Sequence, residues 1–220
     1  MTEDEKRRAG SLFYPGDPEL KAIKRRTHDL NLEYNRTFED ETEKRAAILS
    51  EILGGLGEGS FIQGPITFHY GKHTRIGKWF YGNFNLTIQD DAEVTIGDHC
   101  DFGPNVTIVT PLHPLRAAER AAMRTADGTE RRLCYARPVH IGSGCWLCAG
   151  VTVCPGVTIG DNCVIGAGSV VTRDIPPNSL AAGVPCRVLR PITEADSMRY
   201  RPELLGDNAV IEEPLAADEE

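Results

Sequence analysis

Apolar residues recur every six positions through the second half of the chain, and a second small or medium-sized residue follows each of them four positions later. This period matches neither the 3.6 residues of a helical turn nor the simple alternation of one long strand. It fits a triangular coil of short strands in which the first residue of each repeat points inward. The first residues are Ile141, Leu147, Val153, Ile159, Ile165 and Val171, and the second are Cys145, Val151, Val157, Cys163 and Ser169.

An earlier block repeats the pattern at Ile96, Phe102 and Ile108, and its phase slips by two residues near Val94, which predicts an irregular corner there. Asp98-His99 and Asp161-Asn162 are typical of corners, where the backbone often needs a positive φ. We therefore predict a parallel β-helix over residues 60–192. The period does not determine its hand, and right-handed crossovers are the general rule.

The first 59 residues have a different pattern and predict a helical cap. Asp17 and Pro18 are typical of the N-cap and first position of a helix, and apolar residues follow at helical spacing up to Tyr34. A second helix is expected from about Glu41 to Leu53, ended by Gly54-Gly55. The glycines of residues 55–59 fit no phosphate-binding motif, so we interpret that segment as a connector. Residues 193–220 form a third region, a C-terminal extension with an acidic tail.

Charge and composition narrow the class of protein. The 220 residues carry a net charge of −8, which argues against nucleic acid as a partner because such proteins need a basic face. The segment Met1–Arg8 is not followed by an apolar run, and no stretch approaches the roughly 18 apolar residues of a membrane span. We therefore expect a cytoplasmic protein with no membrane partner, in which the seven cysteines are mostly free thiols.

Several motifs within residues 5–192 resemble those of the maltose/galactoside O-acetyltransferase family of hexapeptide-repeat enzymes. The resemblance implies a left-handed parallel β-helix, acetyl-CoA as co-substrate with no metal, and a homotrimer with each active site between two β-helices. The motifs are the helical cap, Trp79-Phe80-Tyr81-Gly82-Asn83-Phe84-Asn85, Val94-Thr95-Ile96-Gly97-Asp98, His113-Pro114, Asp174-Ile175-Pro176-Pro177-Asn178 and Ala182-Gly183-Val184-Pro185-Cys186-Arg187.

His113 is the candidate catalytic residue. Transfer of an acetyl group from a thioester to a hydroxyl requires removal of the hydroxyl proton, and an imidazole with an ordinary pKa of about 6.5 suits that task. His113 lies where a repeat breaks into a long loop, and the resemblance places the family's catalytic histidine at this position. The alternative is a loop histidine that only forms a hydrogen bond.

The resemblance also implies which residues bind the acceptor sugar and which bind acetyl-CoA. On the acceptor side, Asn83 and Asp91 match sugar-binding positions, and such groups suit hydroxyls that both donate and accept. Asp17 and His69 are further acceptor candidates, although helix capping alone explains Asp17. Core packing is the alternative for Trp146 on the acetyl-CoA side, and a solvated position is the alternative for Thr172 and Arg173. The acetyl-CoA candidates are Trp146, Ala149, Ala167, Thr172, Arg173, Arg187 and Arg190, of which the last two suit CoA phosphates.

Two segments depart from the family pattern. The loop at residues 111–138 is longer than in the galactoside enzymes, and residues 117–129 are expected to form a short helix. Its five arginines before Arg137 either attract acetyl-CoA or contact the acidic tail of residues 212–220, and we favour the tail. These arginines are Arg116, Arg120, Arg124, Arg131 and Arg132.

Two other functions remain as alternatives. One is a catalytically silent binding or scaffold trimer. The other is a metalloenzyme of the γ carbonic anhydrase kind, which needs three converging histidines, and His99, His113 and His140 lack that spacing. Cys145-x-x-Cys148 has no matching second pair, so a zinc site there is not expected.

Overall fold

The computed structural model describes residues 1–210 and consists mainly of a three-sided parallel β-helix whose sides we call faces A, B and C. Strand labels follow chain order. Face A contains β1 (Gly55–Leu56), β4 (Thr74–Ile76), β7 (Val94–Ile96), β14 (Val139–Ile141) and β17 (Thr158–Ile159). Face B contains β2 (Phe61–Ile62), β5 (Tyr81–Gly82), β8 (Asp101–Phe102), β15 (Trp146–Leu147), β18 (Val164–Ile165), β20 (Ser179–Ala182) and the antiparallel β21 (Arg187–Pro191). Face C contains β3 (Ile66–Phe68), β6 (Leu86–Gln89), β9 (Thr107–Val109), β16 (Thr152–Val153) and β19 (Val170–Val171).

The six-residue period predicted from the sequence is confirmed by the core. Each apolar residue at the start of a repeat is buried, from Ile141 to Val171, and so are the second residues from Cys145 to Ser169. Parallel pairing aligns equivalent positions of successive coils, as in Ile96 beside Ile141 beside Ile159. The side chains therefore stack along the axis into one continuous core.

The corner between faces A and B, the A–B corner, is regular. Six successive coils have a positive φ at the same place, including His99 and Asn162, which confirms both predicted corners. The glycine of each Ile-Gly pair leaves no room for a side chain, because the next coil packs directly against it. A Cβ on Gly142, for example, would lie 2.3 Å from Asp161 Oδ1. That same oxygen accepts a hydrogen bond from the Ser143 amide at 2.7 Å.

The corner between faces C and A, the C–A corner, is irregular, as the phase slip near Val94 predicts. Here the chain inserts Asp90 and Asp91 between β6 and β7. After β9 it leaves the coil through β10 (Pro111–Leu112), which pairs antiparallel with β13 (Tyr135–Ala136). The long loop between them contains α4 (Ala117–Ala121) and a hairpin of β11 (Met123–Arg124) and β12 (Glu130–Arg131). The expected helix is thus confined to the first part of residues 117–129.

The cap contains α1 (Glu3–Arg8), α2 (Pro18–Tyr34) and α3 (Thr42–Ile52), and the first of these helices is absent from our prediction. Asp17 caps α2 as predicted, because its side chain accepts from the amides of Glu19 and Leu20. The apolar sides of α2 and α3 join the main core and cover the first coil. The segment that we interpret as a connector contains β1, so the β-helix begins before the predicted boundary at residue 60.

The C-terminal extension contains two 3₁₀ turns, Glu194–Asp196 and Met198–Tyr200, and α5 (Pro202–Leu205). The acidic residues 212–220, and with them the favoured contact of the tail, lie outside the described residues. Within residues 1–210, no helix is both long and apolar enough to cross a membrane.

Candidate active site

His113 lies at the C–A corner, immediately after β10 and at the start of the long loop. Its side chain is exposed, and its ring has no hydrogen-bond partner among residues 1–210. The pairing of Pro111 with Ala136 and of Leu112 with Tyr135 closes the loop at its base. The position of His113 is therefore determined by a strand pair anchored on the β-helix.

Two other predicted residues, His69 and Asp91, belong to the same corner in the preceding coils. The His69 amide donates to the Ile88 carbonyl at 3.1 Å, which stacks residue 69 on the β6 coil. The Ala92 amide donates to Thr110 Oγ1 at 2.9 Å, which stacks the residue after Asp91 on the β9 coil. Successive coils thus bring His69, Asp91 and the base of the His113 loop into one column.

The adjacent carboxyls of Asp90 and Asp91 have opposite surroundings. Asp90 Oδ1 accepts from the amides of Tyr70 and Gly71, and its Oδ2 accepts from the Thr74 hydroxyl. Asp91 is also buried, but its Oδ2 has no hydrogen-bond partner within the described residues. Burial raises the pKa of each carboxyl to about 6. Asp90 therefore holds the corner together, while Asp91 retains an unused acceptor.

Three residues that sequence reasoning missed surround Asp91. The Arg7 guanidinium donates to the Asp91 carbonyl at 2.7 Å, and Lys24 and Arg7 partly oppose the burial that raises the pKa of the Asp91 carboxyl. Both cations also lie near the Tyr70 ring, with Arg7 Cζ 5.8 Å and Lys24 Nζ 5.4 Å from its centroid. The buried Tyr70 hydroxyl lacks a partner among the described residues. No local motif marks these residues, because Arg7 and Asp91 are 84 positions apart.

Asp17 lies at the end of α2 that packs near this column. Leu20, one turn into α2, is buried in a small apolar cluster with Phe13, Tyr70 and Cys134. Asp17 Oδ1 is occupied by capping, since it accepts from the Glu19 and Leu20 amides. The contacts of Asp17 are those of a helix cap, and its predicted contact with the acceptor stays a prediction.

His69 contacts a second histidine, His28. Nε2 of His28, from α2, lies 3.2 Å from Nδ1 of His69. Burial, reinforced by Lys24, lowers the pKa of His69 to about 4. His69 is therefore neutral near pH 7 and can both donate and accept a hydrogen bond.

Asn83 and two acetyl-CoA candidates lie at a different corner, between faces B and C, which we call the B–C corner. Asn83 follows β5, Ala149 follows β15 and Ala167 follows β18. The four-residue strand β6 separates Asn83 from Asp91. At roughly 3.3 Å per residue, that strand alone spans about 13 Å, too far for one hydroxyl to contact both side chains. A single chain does not bring all the predicted residues together.

The remaining acetyl-CoA candidates are all on the surface of the chain. Trp146 points outward from face B and is 52% exposed, so core packing does not explain it. Thr172 and Arg173 are exposed after β19, which matches the solvated alternative for the single chain. Arg187 and Arg190 are exposed on β21, where Arg190 forms a double ion pair with Asp196 at 2.7 and 2.8 Å.

The arginines of the long loop are largely neutralised within the loop itself. Ion pairs join Arg116 to Glu119, Arg124 to Glu130 and Arg131 to Asp127. Arg120 donates to the carbonyls of Pro114 and Leu115. The acidic residues of the loop pair with three of the five arginines, so the positive charge that the loop presents is smaller than its number of arginines suggests. In the same described part of the chain, no group of three or more His, Cys, Asp or Glu side chains is arranged to hold a metal.

Two protein-family models match the chain. Residues 6–57 match the maltose acetyltransferase hexapeptide capping motif, and residues 138–173 match the bacterial transferase hexapeptide with six repeats. The chain is 43% identical over 200 residues to the galactoside O-acetyltransferase of Escherichia coli, an alignment that covers 91% of this chain and 94% of the relative.

Solved structures agree with these matches. A galactoside acetyltransferase in complex with coenzyme A superposes with a TM-score of 0.82 at 44% identity, covering 89% of this chain and 94% of the other. A maltose O-acetyltransferase from Clostridium difficile superposes with a TM-score of 0.82 at 41% identity, covering 88% and 99%. The predicted fold, a left-handed parallel β-helix with an N-terminal helical cap, is confirmed.

Proposed function

The chain belongs to the maltose/galactoside O-acetyltransferase family and is an acetyl-CoA-dependent acetyltransferase, and from this premise we propose that it acetylates a sugar hydroxyl with His113 as the general base. The observation that carries the proposal is the buried Asp91 Oδ2, which has no partner within residues 1–210 and lies in the column that leads to His113. A buried carboxyl oxygen without a donor is costly, and a sugar hydroxyl supplies that donor.

In the proposed reaction, His113 accepts the proton of the acceptor hydroxyl as the hydroxyl oxygen bonds to the thioester carbonyl carbon. The resulting tetrahedral intermediate collapses with cleavage of the carbon–sulfur bond. His113 then returns its proton to the departing thiolate, so that free CoA and the acetyl ester are the products. No covalent enzyme intermediate is required. Asp91, with Asp17, His69 and Asn83, holds the other hydroxyls of the sugar.

We propose that each complete site is formed by two copies of the chain in a homotrimer. His113 and Asp91 lie at the C–A corner, while Asn83, Ala149 and Ala167 lie at the B–C corner. Face B also presents exposed aromatic rings in one row, since Phe61 pairs with Tyr81, and Asp101 lies between Tyr81 and Trp146 in the same row. If face B and the B–C corner of one copy meet the C–A corner of the next, donor and acceptor residues converge.

The activity is tested by measuring thiol release from acetyl-CoA with a panel of maltose, glucose and galactosides. We expect release that requires both acetyl-CoA and a hydroxyl acceptor, with the acetyl ester identified by mass spectrometry. Binding of acetyl-CoA without release for any acceptor would instead support the silent scaffold. Hydration of CO₂ by metal-loaded protein would support the carbonic anhydrase alternative.

The shared site is tested with mixed trimers of His113→Ala chains and Asn83→Ala chains. If these residues come from different copies, some sites in a mixed trimer contain both intact side chains, and partial activity returns. Co-purified mixed trimers without recovered activity, or an active monomer in light scattering, would contradict the proposal.

A further inference from the structure

A basic cavity that the proposed function does not use lies between α1 and the starts of β4, β7 and β14. Its volume is about 500 Å³. None of the predicted donor or acceptor residues lines it, although Ala92 and Glu93, directly after Asp91, form part of its wall. The cations that line it are Arg7, Arg8, Lys72, Arg75 and Arg137.

Three of these cations have no acidic partner among residues 1–210, although Arg137 Cζ also lies 5.5 Å from the centroid of the Tyr135 ring. Lys72 Nζ donates to the carbonyls of Ser50 and Leu53, Arg75 to that of Gly54 and Arg137 to that of Gly10. A carbonyl orients a cationic side chain but does not neutralise its charge. These three exposed side chains therefore present positive charge at the rim of the cavity.

The buried part of the wall is preorganised. Arg7 is only 3% exposed, and its guanidinium is held by Asp4 Oδ1 and by the Asp91 carbonyl. Arg8 pairs with the other oxygen of Asp4. The five cations are thus opposed by one shared carboxylate, Asp4, and by Glu93, the one acidic residue in the lining.

We infer that this cavity is a binding site for a small multivalent anion of the phosphate class. Guanidinium groups form paired, charge-assisted hydrogen bonds with phosphate oxygens, and oriented cations lose little freedom on binding. A net positive cavity in a chain of net charge −8 also concentrates anions locally. The volume accommodates a pyrophosphate-sized anion with water.

The probe is inorganic pyrophosphate, titrated calorimetrically into the full-length protein at constant ionic strength without acetyl-CoA or sugar. This binding experiment can therefore succeed or fail independently of the proposed acetyl transfer. We expect one saturable site per chain at this cavity. Replacing both Lys72 and Arg75 with Gln should weaken binding roughly tenfold or more, because each rim charge interacts through a near-surface dielectric.

Removing negative charge from the cavity, instead of positive charge, provides the most specific test. Glu93→Gln removes the one acidic side chain of the lining, so it should tighten pyrophosphate binding by roughly threefold to tenfold. Arg25→Gln, in an exposed arginine of α2 outside the cavity, is the charge-matched control and should leave binding unchanged. A thermal melt of each variant shows that the fold is intact.

A second control separates the cavity from the CoA phosphates. The variant with Arg187→Ala and Arg190→Ala should retain the site, because neither residue lines the cavity. Citrate in place of pyrophosphate distinguishes phosphate from carboxylate ligands, and stronger binding of citrate would overturn the assigned class. The site itself is refuted if no saturable binding occurs, if Glu93→Gln does not tighten it, or if the Arg187/Arg190 variant abolishes it.

Discussion

The A–B and C–A corners of the same β-helix are built differently. At the A–B corner, every coil has a residue of positive φ at the same place. In two coils an aspartate, Asp98 or Asp161, also accepts a hydrogen bond from a backbone amide of the preceding coil. At the C–A corner, each coil differs, and one leaves the β-helix as the long loop.

This contrast indicates that the A–B corner mainly stabilises the fold, whereas the C–A corner contains the candidate catalytic and binding residues. The regular corner has its polar groups paired coil to coil, as in the Asn162 amide that donates to Asn178 Oδ1 at 3.2 Å. The irregular corner contains the exposed His113 and the buried Asp91 Oδ2, which has no hydrogen-bond partner among residues 1–210. Catalytic groups concentrate on loops held by a rigid scaffold, and natural proteins depart from local rules mainly at such sites.

The largest expected effect contrasts one histidine from each corner. His113→Ala should lower kcat by roughly 10²–10⁴-fold, the range for loss of a general base, with little change in unfolding free energy. His99→Asn is the matched control, because asparagine tolerates the positive φ of 54° at the A–B corner, and its kcat should stay within about twofold. Steady-state kinetics of both folded variants make the comparison. Comparable losses in both would remove the distinction between the corners.

A glycine substitution tests the regular corner. A Cβ at Gly142 would meet Asp161 Oδ1 at 2.3 Å and the Asp161 amide nitrogen at 2.7 Å, so Gly142→Ala should lower the unfolding free energy by about 2–4 kcal/mol. Gly55→Ala is the control, since the nearest neighbour of its Cβ would be Arg75 Nη1 at 3.7 Å, and the unfolding free energy should change by less than about 1 kcal/mol. Urea unfolding measures both. Equal losses would show that the coil spacing is not the cause.

The two adjacent aspartates test the irregular corner. Asp90→Ala removes the acceptor of two buried amides and a hydroxyl, whereas Asp91→Ala removes an oxygen that has no partner within the described range 1–210. Because the pKa of each carboxyl is raised to about 6, the charge contribution is similar in both variants, and their difference reports the hydrogen bonds. Asp90→Ala should be less stable than Asp91→Ala by about 2–4 kcal/mol at pH 7.5.

The same pair predicts a pH dependence with a definite sign. A folded-state pKa near 6, above the ordinary value of about 3.9, means that the folded protein binds more protons between these values. The stability of the wild type relative to Asp91→Ala should therefore fall as the pH rises from about 4 to about 6 and stay constant above that window. Urea unfolding at pH 4 and pH 7.5 measures it. A constant difference would mean that Asp91 has an ordinary pKa.

The smallest effect concerns face B, away from the C–A corner. Replacing Arg187 and Arg190 with Ala should raise the KM for acetyl-CoA by roughly threefold to tenfold and weaken its salt dependence, because exposed charges act through a screened interaction. The pairing of Arg190 with Asp196 already offsets part of its charge. Initial rates at two salt concentrations measure this change. A selective rise in the KM for the sugar would place these arginines on the acceptor side.

Local repetition made much of the fold predictable. Each six-residue repeat forms its own strand and corner, so the sequence predicts the buried residues from Ile141 to Val171 and the corners at His99 and Asn162. The N-cap at Asp17 is equally local. The strand at Gly55–Leu56 was missed because the glycine-rich segment is shaped by contacts with the next coil. A Cβ on Gly57, directly after the strand, would lie 2.3 Å from the Gly77 carbonyl carbon.

The sequence by itself determined the β-helix, its repeat and, through resemblance, His113 as a candidate base. Only the tertiary structure decided that the Asp90 carboxyl is fully hydrogen-bonded, while Asp91 Oδ2 has no partner in the described part of the chain. It also decided that Arg7, Lys24 and Tyr70 lie near Asp91. The physical reason is that the contacts of a repeat are made between residues at fixed, short spacings in the sequence. The environment of a buried carboxyl depends on groups that folding brings from distant parts of the chain.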